Sequence, residues 1–161
     1  MTNQKAKILR TISPSILLGW LLVFGGLIAA RPAQAASSCH LINAKAVGQD
    51  LGAGSTVAKV IGGGLLQGNI AGNLTITGVS GTVASFMETV TFTNGNGTLT
   101  VVLTGAIELT TGQFNASGPV TGATEKLARA TGNLSLSGIA NFAAAIFTED
   151  IAGAICVDLA P

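Results

Sequence analysis

From Gly72 onward the chain alternates apolar and polar side chains with a period of two, and this most constrains what it can fold into. A period of two places every second side chain on one face of an extended strand, whereas a helix would need a period of 3.6. Thr98 to Leu109 is the clearest stretch: Leu99, Val101, Leu103, Ile107 and Leu109 share one face, and Thr98, Thr100, Thr104 and Glu108 share the other. In the preceding strand Phe86, Val90 and Phe92 alternate with Met87, Thr89, Thr91 and Thr93. Asn94-Gly95-Asn96-Gly97 lies between them and reads as a hairpin turn, because Asn and Gly accept the positive φ of tight turns. Thr111-Gly112 marks the next turn, leading to Phe114, Ala116 and Val120. Further strands are expected at Val57–Ile61, Leu65–Ile70, Asn73–Val79, Asn133–Ile139, Asn141–Thr148 and Ile151–Leu159, with one short helical turn within Thr124–Ala130.

About eight antiparallel strands with turns every ten residues or so fit an all-β fold. An eight-stranded antiparallel β-barrel is the leading expectation, with a two-sheet β-sandwich as the alternative. The segment Gly72-Asn73-Leu74-Thr75-Ile76-Thr77-Gly78 is echoed by Gly132-Asn133-Leu134-Ser135-Leu136-Ser137-Gly138, while nothing outside these seven residues repeats. The echo reads as strands meeting the same demands in one barrel, with a duplicated half-barrel as the alternative. An outer-membrane barrel would carry aromatic girdles at both interfaces. Residues 36–161 have no Tyr or Trp and only five Phe, so the apolar face is expected to point inward.

The N-terminus has the three parts of a cleavable export signal: Lys5, Lys7 and Arg10, an apolar run from Ile16 to Ala30, and the small-x-small site Ala33-Gln34-Ala35. Residues 1–35 are therefore expected to be removed, leaving 36–161 as one secreted, periplasmic or envelope domain with no membrane span. The apolar run is shorter than the roughly 20 residues a span requires. Removal leaves four cations, Lys45, Lys59, Lys126 and Arg129, against seven carboxylates. So few cations, scattered along a weakly acidic domain, make no footprint for nucleic acid.

Cys39 and Cys156 lie near the two ends of the mature chain. In an oxidising compartment two cysteines usually pair, so a structural disulfide is expected. A metal or redox site has no support: there is no CxxC, and His40 is the only histidine. The single imidazole also excludes a Ser–His–Asp triad. Gly62-Gly63-Gly64 has no following Lys and is not a phosphate loop. No metal or cofactor is expected.

Glu88 stands out. In the register of Phe86, Val90 and Phe92 it falls on the apolar face, where a carboxylate would have a raised pKa and could move protons. A bulge or a rim position would instead leave it solvated. Glu108 alternates with threonines and reads as a solvated face, Asn115 as an outward position, and Glu149-Asp150 as a turn between two strands.

Gly118-Pro119-Val120-Thr121-Gly122-Ala123-Thr124-Glu125-Lys126-Leu127-Ala128-Arg129-Ala130-Thr131-Gly132 resembles the G-G-T-G-K-F-x-x-A-x-G segment of the allene oxide cyclase and dirigent superfamily, with Gly122, Thr124, Lys126, Ala130 and Gly132 on the motif positions. The hairpins upstream look like those of small secreted bacterial members, and the likeness spans roughly Thr82 to Leu159. Ala123 and Glu125 stand where Gly is usual, and Leu127 replaces Phe. The resemblance implies an eight-stranded barrel, assembly into dimers or trimers, and cofactor-free steering of apolar intermediates. It transfers no catalytic group, although cyclase members use a buried carboxylate in the spirit of Glu88. Two functions are therefore expected to compete. One is a non-catalytic secreted barrel that binds a small apolar ligand or serves a structural role. The other is a cofactor-free cyclase or isomerase with Glu88 catalytic. An open cavity holding Glu88 favours the second, and a fully packed barrel favours a structural role.

Overall fold

The computed structural model describes residues 38–62 and 64–157. The expected export signal, residues 1–35, lies outside them.

Eight strands run in sequence: β1 (Ser38–Gly52), β2 (Ser55–Gly62), β3 (Asn69–Ser80), β4 (Val83–Asn94), β5 (Gly97–Glu108), β6 (Gln113–Ala123), β7 (Thr131–Asn141) and β8 (Ile146–Val157). Each pairs antiparallel with the next, and β1 pairs with β8 to close the barrel. Closure removes both sheet edges, which an open meander would leave unpaired. The expected barrel is therefore correct and the β-sandwich alternative is not.

The alternation does what its period dictates. Phe86, Val90 and Phe92 on β4 and Leu99, Val101 and Leu103 on β5 are buried, while the threonines between them face outward. The Asn94–Gly97 hairpin forms where its residues require it: Asn94 pairs with Gly97, whose φ is 121°.

The structure differs from the expected strands in three places. Residues 65–70 and 73–79 are not two strands. Gly64–Leu66 is a 3-10 turn, and one strand, β3, runs through Asn69–Ser80. The strands expected at 141–148 and 151–159 are likewise one strand, β8, unbroken at Glu149-Asp150. β1 was not foreseen, because its inward residues include the small Ala44, Ala46 and Gly48, while Leu41 and Val47 point outward.

The two ends of the barrel differ. One end carries the β2–β3 and β6–β7 connections, and each turns a leucine inward. Leu66, from the Gly64–Leu66 turn, and Leu127, from a 3-10 turn at Glu125–Leu127, are 1% and 0% exposed. Phe92, Leu99, Val101, Leu134, Ile155 and Val157 fill the space above them. This end is a packed core. The other end carries the β1–β2, β3–β4, β5–β6 and β7–β8 turns and is open.

The family-like segment builds part of the closed end. Gly122 is the penultimate residue of β6, and Thr124 Oγ1 accepts from the Thr98 backbone N–H at 3.0 Å. Lys126 lies on the exposed turn, Ala130 is buried, and Gly132 is the second residue of β7, with φ 147° against the Ala154 carbonyl. Glu125, which stands where Gly is usual in the resembled motif, has φ 54°, a conformation that favours glycine.

Cys39 and Cys156 are bonded to each other. They lie directly opposite in the β1–β8 register, so the disulfide spans the seam that closes the barrel, on its outer wall.

Candidate functional site

The open half of the barrel holds a cavity of about 250 Å³. Its walls are apolar: Leu74 and Ile76 from β3, Phe86 and Val90 from β4, Ile107 from β5, Phe114 from β6, Leu136 from β7 and Phe147 from β8. Ile76, Leu109, Phe142 and Ile146 stand half-exposed at the mouth.

Glycines make the room. Phe147 lies against Gly48 of β1, its direct register partner, and any Cβ there would strike the ring. Phe114 crosses over Gly138 of β7, where a Cβ would come within 2.8 Å of the ring carbon Cζ. The two rings therefore meet edge to face across β7, with centroids 6.5 Å apart and planes at 78°. That arrangement suits the aromatic quadrupoles and fixes one wall of the cavity.

Two carboxyl groups enter this apolar space. Glu88 keeps the inward register of Phe86 and Val90, and no bulge turns it out. Thr56 Oγ1 on β2 donates to Glu88 Oε1 at 3.0 Å. The bond reaches across β3 because the residue between is Gly72, where a Cβ would overlap both Thr56 Oγ1 and Glu88 Oε1. Gly72→Ala should therefore break the bond and leave a half-buried carboxyl short of a partner, at a cost of about 1–3 kcal/mol in urea unfolding. A loss below about 0.5 kcal/mol would contradict this geometry.

Glu149 is the second carboxyl, and the sequence reading placed it wrongly. It is not in a turn. It sits within β8 between the inward residues Phe147 and Ile151, paired with Ala46 on β1 and Gly138 on β7. Those two small neighbours leave room for it. Glu149 is only 8% exposed and accepts no hydrogen bond from any described residue. The signal that could have found it was parity: Phe147, Glu149, Ile151, Ile155 and Val157 are all odd-numbered and all inward.

Burial raises the pKa of both groups, because a low-dielectric wall penalises the charged form. For Glu88 the effect of burial is partly offset by the Thr56 hydroxyl, which stabilises the anion. Glu149 has no such donor and also feels the charge of Glu88, and together these push it up to about 7. The two raised carboxyls share one apolar space, and a negative charge on Glu88 opposes ionisation of Glu149. A third carboxylate, Asp50, sits at the mouth, where its Oδ1 accepts from the Gly52 backbone N–H at 2.8 Å. Among the described residues no lysine, arginine or histidine lines the cavity. Glu108 and Asn115 face outward as expected.

Among the described residues no cluster of three His, Cys, Asp or Glu side chains is placed to hold a metal. Comparison with family models, characterised proteins and solved structures returns no match.

Proposed function

We propose that this chain is an exported binding protein whose open barrel half takes up one small, largely apolar molecule. The observation that carries the reading is the half-packed barrel. One end is filled with leucine, isoleucine, valine and phenylalanine, and the other leaves a cavity of about 250 Å³, with Phe147, Phe114 and Glu88 laid back against glycines 48, 138 and 72. A barrel with a purely structural role gains nothing from such a void, since each unfilled space forfeits packing energy. A dry apolar cavity of roughly 150 Å³ holds benzene, so about 250 Å³ suits a ring with a short chain, about ten non-hydrogen atoms. Export is supported by the Cys39–Cys156 bond, since disulfides persist in oxidising compartments. Kinship with the allene oxide cyclase and dirigent superfamily is part of the same proposal, supported by the closed eight-stranded barrel.

Native mass spectrometry of the protein taken from its own envelope or medium tests the reading. The expected result is one retained organic molecule of about that size. Unmodified protein alone, both as isolated and after equilibration with toluene, would count against it.

A second reading, a cofactor-free cyclase or isomerase, is favoured by one observation: Glu88 lies inside the cavity beside Glu149. On that reading Glu88 is the acid–base group, and Glu88→Gln abolishes turnover with little change in stability. Unchanged turnover would remove Glu88 from the chemistry.

A further inference from the structure

We propose that the cavity selects organic cations: a small aromatic or aliphatic amine, its apolar body against the phenylalanine walls and its ammonium between Glu88 and Glu149. This rests on the binding reading above and names its ligand class.

The carboxyls belong to the cavity itself. Glu149 is nine-tenths buried, faces the cavity, and has no hydrogen-bond partner among the described residues. Buried polar groups in folded proteins are almost always paired, so an orphan of this kind points to a partner that comes from outside the chain. Glu88 enters the same space from β4 and has only the Thr56 hydroxyl, leaving acceptor capacity unused.

The partner must be a donor, and the charge around it says which kind. On every element that lines the cavity the charged groups are acidic: Asp50 on β1, Glu88 on β4 and Glu149 on β8. β2 contributes Thr56, and the lining residues of β3, β5, β6 and β7 carry no charge. Lys45, paired with Asp150, is on the outer wall and exposed. A neutral guest leaves two carboxyls sharing apolar space with one of them forced to keep its proton. An ammonium supplies up to three donors and a compensating charge to both. A bare divalent cation fits less well, because calcium seeks six to eight oxygen ligands and this site offers two inward carboxyls. The phenylalanine walls add ring faces and edges for an apolar body.

Titration of the folded protein with three probes of matched size tests the proposal: 2-phenylethylamine, 2-phenylethanol and 3-phenylpropanoate, followed by calorimetry at pH 8 and pH 5. At pH 8 the amine should bind roughly 10- to 100-fold more tightly than the alcohol, as a charge-assisted hydrogen bond implies, and the carboxylate should bind most weakly. The amine's advantage should shrink at pH 5, where Glu149 holds its proton. Glu149→Gln should reduce it to within about threefold, as one ion pair is lost, and Glu88→Gln should reduce it partly. Equal binding of amine and alcohol by the wild-type protein at pH 8 overturns the cation proposal while leaving the binding reading intact. The same holds if the preference is unchanged in both Gln variants. Absence of binding by all three probes overturns the binding reading itself. The wild-type comparison needs no variant to fold.

Discussion

Replacing both cysteines, Cys39→Ser with Cys156→Ser, is expected to lower the unfolding free energy by about 4–5 kcal/mol. The bond closes a loop of 117 residues, so in the chain-entropy model its loss frees a large part of the unfolded ensemble. For a domain of this size the melting temperature should fall by roughly 15 °C. The barrel itself should survive. The β1–β8 seam runs from Ser38–Val157 to Gln49–Ile146 and keeps its backbone ladder without the sulfurs. The Lys45–Asp150 ion pair across it is well exposed and contributes little. Urea unfolding of the double variant, with circular dichroism of its native state, checks both halves. A loss under about 1 kcal/mol, or a native state that is no longer β, would contradict the account of the disulfide as a staple on an already closed barrel.

The second large effect is an inverted pH dependence. Most proteins lose stability toward acid because their native carboxylates are paired. Here Glu149 in the folded chain titrates near 7 against an ordinary value of 4.5. Between those values the unfolded chain has released this proton and the folded chain still holds it. The unfolded state therefore binds fewer protons, and stability must fall as pH rises from 4.5 to 7. At 1.36 kcal/mol per unit, the loss is about 3 kcal/mol by pH 8. Glu88, raised in the same direction by burial, adds to it. Glu108 works oppositely: hydroxyls of Thr110 and Thr82 hold its pKa down, so it loses support below pH 4.5. Stability should thus peak near pH 4.5. Urea unfolding at pH 4.5 and pH 8 gives the slope, and Glu149→Gln should remove most of it. A wild-type curve that is flat or rising over this interval would mean that Glu149 is solvated rather than buried.

What the sequence revealed and what it hid follow from one physical fact. A period of two is readable only while inward residues are large and apolar. Phe86, Val90, Phe92, Leu99, Val101 and Leu103 satisfy that, so β4 and β5 and the turn between them were legible. β1 turns Ala44, Ala46 and Gly48 inward and Leu41 and Val47 outward, so its alternation is masked. Two of these small residues, Gly48 and Ala46, are the register partners of the cavity residues Phe147 and Glu149, so sequence hydropathy is weakest beside the site. Glu88 was legible because large neighbours on both sides fixed its register. Glu149 was not, because it adjoins Thr148 and Asp150 and a polar triplet reads as a turn. Its burial depends on Gly138, 11 positions away across the β7–β8 hairpin, and on Ala46, 103 positions away, which becomes a neighbour only when the barrel closes.

One half of the barrel holds a cavity and the other half is a packed core. Methyl-detected NMR of the protein titrated with toluene tests it most directly. Methyls of Leu74, Ile76, Val90, Ile107 and Leu136 line the cavity and are predicted to shift together along one saturating curve. Methyls of Val101, Ile155 and Val157 lie in the filled end and are predicted to stay in place. Shifts spread evenly over both groups, or none in the first, would contradict the claim.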